Sequence, residues 1–209
     1  MKYDFDQIIE RRDTDSIKWS VYPHDVIPMW VADMDFQSPE SIIRALRLRI
    51  DHGVFGYSRP SQALTRVLQE RMRQLYGWRI SEPEIVFLPG IVTGLNIAFQ
   101  AFSDPGEGIL AQPPVYFHFL RDPVLHGRIL QDPPLVKNGD NYEIEFDQFE
   151  RAITNRTRVF VLCNPHNPVG RVFSRQELES IAEICLRHGL IIISDEIHCD
   201  LIYPPHRHI

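Results

Sequence analysis

The stretch TRVFVLCNPHNPVGRVFSRQELESIAEICLRHGLIIISDEIH, residues 157–198, decides how the rest of the chain is read. An apolar run, Val159–Leu162, breaks into a proline-framed polar turn, Asn164–Gly170. A helical stretch of about Ser174–His188 follows, then a second apolar run, Leu190–Ile193, that stops on Ser194-Asp195-Glu196. Strand, polar loop, helix, strand and acidic end make a parallel βαβ unit, and parallel sheets take ligands beyond the carboxyl ends of their strands. Asn167 and Asp195 both stand at such ends.

Outward from that unit the chain alternates between strands and helices. Upstream, Glu84–Leu88 reads as a strand turned by Pro89-Gly90 into a helix over about Val92–Phe102. Gly108–Gln112 and Arg128–Gln131 read as strands around a weaker helix at Tyr116–His126; a further strand at Tyr142–Phe146 precedes a short helix at Asp147–Thr154. Before these lie a helix opened by Ser38-Pro39-Glu40, with Ser38 as its cap, running to about His52, and a long amphipathic helix at about Gln62–Tyr76 closed by Gly77. The first forty residues read as an irregular arm. The predicted class is α/β, a mainly parallel sheet with helices on both faces.

Composition sets outer limits. Hydrophobic residues make up 44% of the 209, enough for a core, and the net charge of −6 with scattered basic residues argues against a nucleic-acid or anionic-membrane surface. No apolar run approaches the roughly 20 residues that cross a bilayer. Three cysteines in apolar context form no disulfide framework, and MKYDFDQIIERRD carries charge where a signal peptide needs an apolar region. The expectation is a soluble, cytoplasmic protein.

Four polar places lie at strand ends. The turn Pro89–Gly94 feeds a helix whose free N–H groups can hold a phosphate, although many strand–helix turns carry glycine for structural reasons alone. Tyr116 follows two prolines and offers a ring for stacking; simple packing is its plainer role. Asp195 can hold Mg²⁺, a protonated ring nitrogen or a helix end. The Mg²⁺ role needs a GxxxxGK[ST] loop, which is absent, and no G-x-G-x-x-G opens a helix. The only lysines are Lys2, Lys18 and Lys137. His198, Cys199, His206 and His208 match no familiar zinc spacing.

Taken together, PMWVADMDF (28–36), GVFGYS (53–58), PGIVTGLNIA (89–98), PPVYFHF (113–119), NPHNPVGRVF (164–173) and SDEIHCDLIYP (194–204) resemble the fold-type-I pyridoxal-phosphate enzymes of the class I/II aminotransferase family. More narrowly they resemble its cystathionine β-lyase or C–S lyase (MalY/PatB-type) subgroup. The resemblance implies pyridoxal 5′-phosphate as cofactor. Asp195 would pair with its ring nitrogen, Asn167 with the ring's 3′-oxygen, and His198 would lie on the same side. Tyr116 would stack on the ring, and the N–H groups of Ile91 and Val92 would hold the phosphate. Tyr57 would reach the phosphate in the partner subunit of a homodimer, and Ala32 would lie near the carboxylate of an amino-acid substrate.

The same resemblance implies residues 1–45 as an arm with part of a small domain and residues 46–209 as a truncated cofactor-binding large domain. The C-terminal small domain would be absent. The Schiff-base lysine, which the family carries after the SDEIH strand in an S-x-x-K-type segment, has no counterpart here, so no residue of this chain is expected to be catalytic by itself. Elimination of pyruvate, ammonia and a thiol from an S-substituted cysteine is the implied family reaction. The alternatives are amino transfer, which shares these motifs, and a non-catalytic remnant or binding protein.

Overall fold

The computed structural model describes residues 3–209. The chain divides into two compact units, Met1–Arg59 and Pro60–Ile209.

The first unit is held by ion pairs more than by apolar packing. It contains a single helical turn, α1 (Ile17–Ser20), and α2 (Glu40–His52). Arg11 reaches Asp33 and Asp35, each at 2.6 Å, and Lys18 Nζ donates to Asp35 at 2.7 Å and to the carbonyl of Asp33 at 3.0 Å. The Trp19 indole N–H adds a bond to Asp35 at 2.7 Å. Bonds from Lys18 and Trp19 outweigh partial desolvation and hold the Asp35 carboxyl down to about 2. α2 ends at Gly53 in the left-handed conformation as the sequence predicts, but Pro39 occupies the capping position and Ser38 makes no cap bond.

The second unit is built on a four-stranded sheet, parallel throughout. Across the sheet its strands are, in order, β2 (Ile129–Gln131), β1 (Gly108–Leu110), β5 (Thr157–Cys163) and β6 (Ile191–Asp195). Side chains alternate across a strand, and the apolar runs supply both faces. Ile109, Ala111, Val159, Val161 and Cys163 pack with Leu95 and Phe99 of α4 (Ile91–Phe102) and Phe119 of α5 (His118–Leu125). Leu110, Phe160 and Leu162 point the other way, onto Phe149 of α6 (Phe146–Arg151) and Ile181, Ile184 and Cys185 of α7 (Arg175–Arg187). Two cores, one on each face, follow from one alternation. Ahead of the sheet, α3 (Gln62–Tyr76) runs between the Ser61 cap and Gly77, where the sequence places it.

Two expectations are corrected. Ile85–Leu88 forms no strand: a 3-10 turn at Glu82–Glu84 leads into extended chain with no hydrogen-bonded neighbour strand, and Val86 is 74% exposed. A strand without a ladder partner leaves its backbone to water, so local propensity alone does not produce it. The strand predicted at Tyr142–Phe146 is instead the second half of an antiparallel hairpin, β3 (Val136–Asn138) with β4 (Asn141–Glu143), turned by Gly139-Asp140.

Candidate functional site

The sheet order creates a crevice. β1 and β5 are neighbours, yet the chain leaves β1 through α5 on one face and leaves β5 through α7 on the other. Loops that part in this way open a gap at the carboxyl edge, the usual ligand position in such sheets.

On the β5 side the loop Asn164–Gly170 is tied down at its base. Asn164 is buried; its N–H donates to the Asp195 carbonyl at 3.0 Å and its Oδ1 accepts from the Phe173 N–H at 3.0 Å. The N–H of His166 donates to the Arg171 carbonyl at 2.7 Å and the N–H of Gly170 to the His166 carbonyl at 2.8 Å, closing the loop. Asn167 is left near the tip. Its N–H contacts Cys163 Sγ at 3.4 Å, while its side-chain amide makes no hydrogen bond to the described residues. Burial pushes the Cys163 thiol up to about 11, which removes it as a thiolate nucleophile.

β6 delivers Asp195 to the same edge, in register with Cys163. The carboxylate is 8% exposed; Oδ1 accepts from the Ile197 N–H at 3.1 Å and Oδ2 has no partner among the described residues. Burial raises its carboxyl above the ordinary aspartate range, and the Ile197 N–H only partly opposes this. A buried carboxylate with one free oxygen and a burial penalty is a site suited to a cationic N–H.

Across the crevice, the β1 loop carries Tyr116. Its half-buried ring packs edge-on to Phe117 and Phe119, with centroids 4.9 and 6.5 Å away. The loop is fixed to its neighbour by His166, whose Nε2 donates to the Pro114 carbonyl at 2.9 Å. Sequence reading assigned His166 nothing. It is 3% exposed, and burial lowers its basicity so that the neutral ring is favoured. Its role as a brace between two loops depends on a partner 52 residues away, for which no local signal exists.

At the start of α4, Gly90 sits at φ 114°, ψ 154°, a conformation open essentially to glycine, and gives the helix no side-chain cap. The first backbone bond into the helix is from Gly94 N–H to the Gly90 carbonyl at 3.1 Å, so the N–H groups of Ile91 and Val92 stay free for an anion.

A cavity of about 600 Å³ opens along the β5–β6 side, lined among others by Asn167, His198, Arg171, Glu143 and Tyr203. It brings Asn167 and His198 together. Asp195, Tyr116, Ile91 and Val92 do not line it. Arg171 is occupied: it donates to Glu177 at 2.6 and 2.7 Å and to the Tyr142 carbonyl. Ala32 and Tyr57 belong to the first unit, where both are exposed. Among the described residues no group of three His, Cys, Asp or Glu side chains is disposed to hold a metal ion.

Residues 24–209 match the family model described as aminotransferase class I and II. The cystathionine β-lyase PatB of Bacillus subtilis (strain 168) is 42% identical over 210 residues, which cover 98% of this chain and 54% of that one. Among solved structures, OvoB superimposes with a TM-score of 0.93 at 42% identity, covering 99% of this chain and 55% of its own. The pyridoxal-phosphate-bound C–S lyase of Staphylococcus hominis gives 0.93 at 33% identity, covering 100% of this chain and 55% of its own. The chain spans about half the length of the curated relatives it matches. The match over residues 24–209, on a sheet and crevice of this form, places the chain in the aminotransferase class I and II family.

Proposed function

We propose that residues 1–209 carry the pyridoxal-phosphate-holding part of a carbon–sulfur β-lyase, which converts S-substituted cysteines and water to pyruvate, ammonia and a thiol. The observation that carries this is Asp195: a buried carboxylate with an unpartnered oxygen, at the carboxyl end of a parallel strand beside the switch point. The names of the relatives, a cystathionine β-lyase and a cofactor-bound C–S lyase, support the reaction class.

When bound, the cofactor supplies an electron sink for the bonds at the substrate's Cα. The chain's own residues prepare that sink. Asp195 holds the ring nitrogen in its protonated form, and its burial strengthens this ion pair relative to one in water. Asn167 offers its free side-chain amide to the ring oxygen, with His198 lining the same cavity. Tyr116 would stack on the ring, and the free N–H groups of Ile91 and Val92 would hold the phosphate. Tyr57 would serve the partner subunit of a homodimer, and Ala32 the substrate carboxylate. The second unit has a single lysine, Lys137, which is exposed on β3. The second unit by itself therefore offers the cofactor non-covalent contacts.

Amino transfer is the competing reaction of the same family. The whole protein that contains these residues is assayed with cystathionine and cofactor, with and without a 2-oxo acid. Pyruvate release that needs no oxo acid supports the lyase; amino transfer without pyruvate release overturns it.

A further inference from the structure

Helices α4 and α5 are joined by one continuous set of part-buried hydrogen bonds, centred on the buried Asp122, that the roles above do not use. Asn96 Nδ2 donates to the carbonyl of Val92 at 2.8 Å and to Asp122 Oδ2 at 2.8 Å, while its Oδ1 accepts from His126 Nε2 at 2.6 Å. Every polar atom of the Asn96 amide is used. Asp122, 2% exposed, accepts two further bonds, from His118 Nδ1 at 2.7 Å and from Arg121 Nε at 2.9 Å. Arg121 Nη2 also lies 3.0 Å from His118 Nδ1, but a nitrogen that donates to the carboxylate cannot accept from a guanidinium. The shorter contact, to Asp122, fixes the tautomer.

The two ends of this network are informative. One end is the carbonyl of Val92, whose own N–H belongs to the anion cradle. The other is His118, whose ring centroid lies 5.0 Å from that of Tyr116. α5 spans only eight residues and carries Pro123 inside it, so it has little rigidity of its own. An apolar side chain at 122 would fill the gap between the helices without fixing how they are rolled about each other. A carboxylate that must meet three donors, from two helices, fixes that roll, because any other arrangement strands a buried charge. Burial opposes ionisation here, yet the bonds from Asn96, His118 and Arg121 keep the carboxyl below its ordinary range.

We propose that Asp122 is a positioning residue that sets the anion cradle at Val92 and the stacking ring of Tyr116 in one geometry, an inference that rests on the cofactor reading above. It touches neither ligand nor reacting atoms and acts through Asn96 and His118.

The test uses pyridoxamine 5′-phosphate, which has no aldehyde and cannot label surface lysines. Binding to the 209-residue chain is followed by fluorescence quenching and by the circular dichroism induced in the pyridine band. Asp122→Asn is expected to weaken binding about tenfold and to alter the induced band, since an amide there faces donors with a donor. Ser103→Ala is the structural control. It removes two bonds at the far end of α4, from Ser103 Oγ to the Phe99 carbonyl at 2.6 Å and from Arg128 Nε to Ser103 Oγ at 3.1 Å, and is expected to lower the melting temperature while leaving ligand affinity and band unchanged.

Should Asp122→Asn fail to fold, His118→Gln decides; it leaves Asp122 two donors and is expected to change the induced band while inorganic phosphate competes as before. No saturable binding by the unaltered chain overturns the cofactor reading and this inference with it. Binding and band unchanged in the folded variant overturn this inference alone.

Discussion

The N–H of Asn164 donates to the carbonyl of Asp195 at 3.0 Å, where β5 and β6 end side by side. That bond, with the Phe173 N–H on Asn164 Oδ1, makes the base of the Asn164–Gly170 loop a fixed extension of the sheet. Asn167 and Asp195 are therefore presented from one rigid edge.

Asn164→Ala leaves the buried Phe173 N–H without its acceptor. The expected cost is about 1–3 kcal/mol in urea unfolding, with the loop base loosened. An unchanged midpoint would show that the loop is held by other contacts.

Gly90→Ala forces a Cβ onto a backbone at φ 114°. Nothing lies within 4 Å of the added carbon, so the effect is conformational, about 1–3 kcal/mol. The same substitution should weaken competition by inorganic phosphate at the start of α4. Equal phosphate affinity in the two proteins would place the anion elsewhere.

Phe160 is 1% exposed and meets Phe149 edge-on at 4.9 Å in the core under α6 and α7. Phe160→Ala is expected to cost about 3–5 kcal/mol in equilibrium unfolding. A loss below about 1 kcal/mol would contradict a packed core on that face.

Acid should loosen the first unit late. Bonds from Lys18 and Trp19 hold Asp35 down to about 2, below its value in an unfolded chain. A depressed carboxyl stabilises the fold above the unfolded value and stops doing so as pH falls through the folded one. Fluorescence of Trp19 and Trp30 in Asp35→Asn should show the unit already loosened at neutral pH, with its change between about pH 4 and 2 removed. Retention of the full acid transition would assign it to other groups.

Much of this architecture is legible in the residues. α3 falls between Ser61 and Gly77 because cap and stop are both local, and β5-α7-β6 is announced by two apolar runs around a capped amphipathic helix. The helix bounds near Glu40 and His52 are legible for the same reason, although Ser38 does not cap. What sequence misses is nonlocal. Ile85–Leu88 has the composition of a strand and lacks a partner. The β3–β4 hairpin is only half legible, because β3 (Val136–Asn138) is exposed throughout and each strand is three residues long. His166 and Asp122 are invisible as braces because their partners, Pro114 and Asn96, lie 52 and 26 residues away.

The carboxyl of Asp195 is raised by burial, so as pH climbs past the ordinary aspartate range the unfolded chain loses its proton first and the folded chain is penalised. Asp195→Asn should therefore leave the unliganded chain at least as stable at neutral pH, while removing the partner of the ring nitrogen. The decisive measurement is the dissociation constant of pyridoxamine 5′-phosphate for the 209-residue chain and for Asp195→Asn, with melting temperatures alongside. Saturable binding that the substitution weakens at least about tenfold, without loss of stability, is the predicted result. Equal affinity in the two proteins, or no binding by the unaltered chain, would contradict it.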